Sequence, residues 1–141
     1  SWKLEIYATD LSKEALEKAD KGRFDELEVH RGVAPVLIRE YFRQEGPHFI
    51  IKDELRRLVT FDEFNLVGDW PEVTPVDVVL LRNVLRYMNG ESKQAILSKF
   101  RGALRPDGYL LLGASETTEE SDTSFTLVPA EKAVYYQPTL T

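Results

Sequence analysis

The apolar run 76–81 ends abruptly in Arg82-Asn83, and that change of character is where this sequence could do chemistry. In open α/β sheets, ligands bind beyond the carboxyl ends of the strands, so polar groups at such an end face a binding crevice. An arginine there can hold a carboxylate through two parallel hydrogen bonds. The alternative is a strand-end arginine paired to a structural acid such as Asp77 or Asp107. Tyr87 follows Asn83 by four residues, on the same face if the chain turns helical. It then points at the same crevice or packs into the core. Asp10 is a second candidate, because it ends the alternating run 4–9 just before a helix start at Ser12. An acid at a strand tip can accept hydrogen bonds from the vicinal hydroxyls of a ribose; the plain reading is a turn aspartate. Asn65-Leu66 also follows a strand-like run. An amide side chain and a backbone group there could read an adenine edge, against the plain reading of a turn asparagine.

Other polar residues carry less. His30 and His48 stand alone, with no cluster of acids at metal-ligand spacing, and no Ser/His/Asp arrangement is evident. The run 115–120 reads as a solvated, capping-type loop. Arg39, Arg43, Arg56 and Arg57 read as a solvent-exposed face, or as a local basic patch for an acidic partner. The 141 residues carry a net charge of −6, which disfavours broad binding to nucleic-acid phosphates. There are no cysteines, which removes disulfides, thiolate metal sites and cysteine nucleophiles. No apolar run approaches the roughly 18 residues of a membrane span, and no signal-peptide pattern opens the chain. Cytoplasmic placement without membrane insertion is the expectation.

The elements that must position these residues alternate. A strand at 4–9 leads to a helix at 13–21, capped by Ser12 and stopped by Gly22. Pairs Glu14–Lys18 and Glu17–Lys21 favour that helix. A helix is expected at 34–42, with Val36, Leu37, Tyr41 and Phe42 as its apolar stripe, broken by Gly46-Pro47. Strands follow at 49–51 and 58–61, with a basic helical turn or strand entry at 54–57 between them. Residues 69–75 read as loop. The run 76–81 is near-continuously apolar, as in a parallel strand buried on both faces. A short helix at 84–87 precedes the clearest one, 91–104, whose apolar face is Ile96, Leu97, Phe100, Ala103 and Leu104. Pro106-Asp107-Gly108 ends it before a second buried strand at 109–113. Runs 125–128 and 133–136 read as an antiparallel pair. This order argues for an α/β fold with a mostly parallel sheet and an antiparallel C-terminal hairpin.

Taken in order, these segments resemble the CheR-type chemotaxis receptor methyltransferases, which are S-adenosylmethionine-dependent. The residues that carry the resemblance include Ala8-Thr9-Asp10, Arg31-Gly32, Lys52 to Arg57, Asn65-Leu66, Arg82-Asn83-Val84-Leu85-Arg86-Tyr87 and Leu104 to Gly113, followed by Ser115-Glu116. Arg-Asn-Val-x-x-Tyr is the most distinctive piece. The resemblance implies a partial Rossmann-like fold and methylation of glutamate carboxylates on chemoreceptors or related signalling proteins. It also implies roles: Asp10 on the ribose, Asn65 and Leu66 at the adenine, Arg82 and Asn83 lining the cofactor site, and Arg82 and Tyr87 on the acceptor side. Leu81 stands where the family often has cysteine, and Met88 where it has an aromatic.

The family places a first strand and a glycine-containing loop ahead of the strand that ends at Asp10, and these 141 residues do not contain them. The chain is therefore expected to be the C-terminal portion, residues 1–141, of such a domain. Cofactor binding that is weak or absent, and with it doubtful activity of these residues alone, is a further expectation. The sheet is expected to close its gap by direct pairing of the flanking strands, by exchange between chains, or by leaving an exposed edge able to join copies of the chain. A non-catalytic, methyltransferase-like signalling module is the alternative. A nicotinamide-dependent oxidoreductase also suits Asp10, but the antiparallel end and the lack of hydride-transfer residues argue against it.

Overall fold

The computed structural model describes residues 1–118 and 122–140, so the polar run 115–120 lies partly outside the described residues. The chain divides into two compact units, Ser1–Asn65 and Leu66–Thr141.

In the first unit, strand β1 (Ile6–Asp10) pairs in parallel with a later strand, Val59–Glu63, so that Asp10 lies opposite Glu63. Helix α1 (Lys13–Lys21) starts where the Ser12 hydroxyl accepts the Ala15 N–H at 3.2 Å, and stops at Gly22. Gly22 has φ +61°, and a Cβ there would sit 2.7 Å from the Ile51 side chain, so both backbone and space demand glycine. A three-stranded antiparallel sheet follows: β2 (Arg23–Asp25), β3 (Phe42–Glu45) and β4 (His48–Ile51), in the order β2-β4-β3. Helices α2 (Glu26–Gly32) and α3 (Pro35–Tyr41) close a small core of Val29, Ile38 and Phe49. Helix α4 (Asp53–Arg56) leads into β5, the Val59–Glu63 strand.

Several expectations change here. The expected stripe of α3 is not the buried one: Ile38 is buried, Val36 and Leu37 are exposed, and Phe42 already belongs to β3. In a helix of two turns, packing against Val29 and Phe49 rather than periodicity selects the face. Lys18 pairs with Glu28 of α2 rather than with Glu14. Helix α2 itself is announced by a capping box, with Asp25 accepting the Glu28 N–H at 2.8 Å and Glu28 accepting the Asp25 N–H at 2.9 Å.

In the second unit, β6 (Val76–Leu81) pairs in parallel with β7 (Leu104–Leu112). Strands β8 (Phe125–Pro129) and β9 (Val134–Pro138) add the antiparallel hairpin, giving the order β6-β7-β9-β8. Helix α5 (Gly90–Ala103) begins where the Asn89 side chain accepts the Ser92 N–H at 2.9 Å. Its Ile96 and Leu97 pack with Val79, Leu81, Leu110 and Tyr136 into the main core. Pro106-Asp107-Gly108 does not separate helix from strand as expected. The helix ends at Ala103, and these residues form an irregularity inside β7, where pairing jumps from Val76–Leu104 to Val78–Tyr109. A Cβ at Gly108 would meet Leu104 at 2.8 Å and the Asp77 carbonyl at 3.1 Å, which explains the glycine.

Burial of β6 on both faces is also corrected. Val79 and Leu81 are buried beneath α5, but Val78 is 52% and Leu80 70% exposed. Among the described residues, no helix is long and apolar enough to cross a membrane. The expected cost of Leu110→Ala is about 2–5 kcal/mol, because it opens a cavity in a core with no solvent access. Leu80→Ala should cost less than about 1 kcal/mol. Urea unfolding followed by near-UV circular dichroism measures both.

Candidate functional site

The first unit brings two of the candidates to one end of one sheet. Asp10 closes β1, its carbonyl accepts the Phe64 N–H at 3.0 Å, and Asn65 follows directly. Asp10 and Asn65 thus stand just past the carboxyl ends of two paired parallel strands, where such sheets present ligand-binding groups. Asp10 Oδ1 accepts the Ser12 N–H at 2.8 Å, and among the described residues Oδ2 has no protein partner. The side chain lines a hollow of about 120 Å³ with Ala8, Thr9, Ala15, Ala19 and Phe61. Ala8, Ala15 and Ala19 keep part of its wall short, and Leu16 of α1 also lines it.

In the second unit, Leu66 packs against the main core. Its carbonyl accepts the Trp70 indole N–H at 3.0 Å, and Lys99 of α5 reaches the Gly68 carbonyl at 2.6 Å. Trp70 in turn lies edge-on to Phe100, with ring centroids 4.7 Å apart. Lys99 and Trp70, which the sequence reading passed over, thereby fix the loop that carries Leu66.

Strand β6 delivers Arg82 and Asn83. Arg82 is exposed, and among the described residues its guanidinium has no ion-pair partner. The structural acids proposed for it are taken by Arg105, whose Nε lies 3.4 Å from Asp77 and 3.5 Å from Asp107. Asn83 adopts φ +61°, the one non-glycine residue described in the left-handed region. The chain then makes a single 3₁₀ turn, Leu85–Tyr87, so Asn83 lies outside the helix. The expected α-helical relation between Asn83 and Tyr87 therefore does not hold. Tyr87 is not core either: it is 82% exposed.

The group that organises this turn is Glu116, which the sequence reading placed in a solvated loop. It is only 8% exposed. One carboxylate oxygen, Oε2, accepts the Asn83 N–H at 2.6 Å and the Gly113 N–H at 2.8 Å, while Oε1 accepts the Arg86 N–H at 3.2 Å. The Arg86 guanidinium donates to Asn83 Oδ1 at 2.6 Å and to Ser115 Oγ at 2.9 Å. Burial, the largest single influence, pushes the Glu116 carboxyl up, but the three N–H donors and the Arg86 charge together hold it below the ordinary carboxylate value. Beside it opens a hollow of about 440 Å³ edged by Arg86, Lys93, Ser115, Thr117 and Thr118. His30 instead bonds the Glu26 carbonyl and stacks edge-on against Phe49, and no metal-binding group occurs among the described residues.

Comparison with known proteins gives a concordant result. The family model described as "CheR methyltransferase, SAM binding domain" matches residues 1–134. A chemotaxis protein methyltransferase 1 of Pseudomonas aeruginosa is 36% identical over 135 residues, covering 95% of this chain and 49% of that protein. The chemotaxis protein methyltransferase of Vibrio parahaemolyticus is 35% identical, covering 94% and 48%. That of Escherichia coli is 35% identical, covering 89% and 45%. The chain thus spans about half the length of the relatives it matches. The glycopeptide N-methyltransferase MtfA, solved with sinefungin, matches in fold at a TM-score of 0.53 and 14% identity, over 96% of this chain and 50% of that one.

Two outcomes are expected of the Glu116 cluster. Gly113→Ala would place a Cβ 2.5 Å from Asn83 Oδ1 and 2.6 Å from Glu116 Oε2. Denaturant unfolding should show a loss of about 1–3 kcal/mol. The lowered Glu116 carboxyl contributes stability above its unfolded-state value, and that contribution is lost as pH falls through the folded one. Acid titration followed by circular dichroism should therefore destabilise the unchanged protein more steeply than Glu116→Gln.

Proposed function

Since the chain belongs to the CheR methyltransferase family, we propose that it binds S-adenosylmethionine and serves methyl transfer to glutamate side-chain carboxylates of chemoreceptor-type signalling proteins in the cytoplasm. The observation that carries this reading is the Arg82 guanidinium, exposed at the carboxyl end of a parallel strand and, among the described residues, without an ion-pair partner. A carboxylate acceptor is the complementary partner for such a group.

The residues present fit the cofactor. Asp10 has one carboxylate oxygen without a protein partner among the described residues, beside a hollow lined by Ala8, Ala15 and Ala19 together with Leu16 and Phe61, which suits a ribose diol. Asn65, with Leu66, is assigned to the adenine, and Arg82 with Asn83 to lining the cofactor site. When bound, S-adenosylmethionine supplies a methyl group on a positively charged sulfur. A glutamate carboxylate is already ionised at neutral pH, so no general base is required of the chain. The work of Arg82 and Tyr87 is to hold the acceptor carboxylate in line, and catalysis rests on that orientation.

The test uses methyl-labelled S-adenosylmethionine and a cytoplasmic receptor fragment. The expected product is a label released by mild base, as a carboxyl methyl ester is. Arg82→Ala should lower kcat/KM by about 10- to 100-fold, the loss of charge-assisted hydrogen bonds. A base-stable label, or no transfer by the folded protein, contradicts the reading.

A further inference from the structure

We infer that Glu116 and Arg86 are positioning residues for the methyl-transfer site, acting on Arg82 and Tyr87 through the backbone turn at Asn83. Neither side chain is assigned contact with cofactor or acceptor. What they do is over-determine one stretch of backbone. Asn83 occupies the left-handed region, which residues other than glycine adopt seldom and asparagine more readily than most, and the surroundings hold it there. Here the enforcement is specific. Glu116 Oε2 takes the Asn83 N–H, and Oε1 takes the Arg86 N–H three residues on, so one carboxylate spans both ends of the turn. The same oxygen that holds Asn83 also holds Gly113, just past β7, tying the turn to the neighbouring strand of the sheet. From the other side, the Arg86 guanidinium grips the Asn83 side chain and is itself steadied by Ser115.

The two residues proposed to meet the acceptor flank this clamp. Arg82 immediately precedes Asn83, and Tyr87 immediately follows Arg86. Both are exposed, so core packing does not set their directions. Their placement follows the backbone between them, which the buried Leu85 and the Glu116 clamp hold. Replacing Glu116 by glutamine removes the charge and turns one acceptor oxygen into a donor group. At least one of the three N–H groups is then left facing an N–H.

This inference rests on the methyl-transfer reading, and its test separates the two. In the first arm, amide hydrogen exchange is followed by NMR in the unchanged protein, in Glu116→Gln and in Arg86→Ala. The second variant keeps the Arg86 backbone N–H and alters an exposed side chain, so folding is retained. Exchange faster by about ten-fold or more at residues 83–87, with α5 and β7 unchanged, is the expected result. Uniform acceleration across α5 and β7 means a general structural role and overturns the inference.

In the second arm, kcat/KM for label transfer is measured for Glu116→Gln, Arg82→Ala and the double variant. If Glu116 acts through Arg82, the double variant is about as slow as the slower single one. Losses that simply multiply overturn the inference. An unchanged protein that transfers no label overturns the methyl-transfer reading instead, and with it the catalytic purpose assigned to the clamp, whatever the exchange arm shows.

Discussion

One buried carboxylate, that of Glu116, joins the ends of β6 and β7. Where the chain leaves a strand, its N–H groups lose their ladder partners and must find acceptors when solvent is excluded. At this end of the second unit a single side chain meets three N–H groups, those of Asn83 and Gly113 just past the two strands and that of Arg86 in the turn that follows. A carboxylate suits the task because charge-assisted hydrogen bonds are short and strong, and because each oxygen has capacity for two donors. The cost is desolvation of a negative charge, offset by the donors and by the neighbouring Arg86. From that arrangement follow the left-handed Asn83, the glycine at 113 and the exposed placement of Arg82 and Tyr87.

Much of the framework was legible in the sequence because it is written in short-range pattern. The near-continuous apolar run 76–81 became β6 with the same boundaries, and the face containing Ile96 and Leu97 became the inner side of α5. Ser12 and Gly22 marked the ends of α1 because capping and left-handed turns have local chemistry. Strands β2 and β3 escaped notice for the opposite reason. They are three and four residues long, and sequences such as Arg-Phe-Asp and Phe-Arg-Gln-Glu show no clear alternation. Their strand character comes from pairing with β4 on either side, which is a tertiary fact.

The site divides in the same way. Asp10, Asn65 and Arg82 were found because each stands where a strand ends, and the structure puts all three at such ends. Glu116 was invisible: it lies in a run of serine, threonine and glutamate that reads as solvated, and two of its partners are 30 and 33 residues away. The signal that could have found it is the isolated glycine after β7, since a strand-end Gly113 hints at close approach by another group. Tyr87 shows a different limit. The spacing of four residues was right for an α-helix, but a left-handed residue and a 3₁₀ turn replaced it.

The central proposal is that Asp10 and Arg82 each contribute to binding the cofactor. Its most direct measurement is calorimetric titration of S-adenosylhomocysteine into the unchanged protein, Asp10→Ala and Arg82→Ala. Saturable binding by the unchanged protein, weakened about ten-fold or more in both variants, is the result expected. Binding that both variants retain at full strength would contradict it.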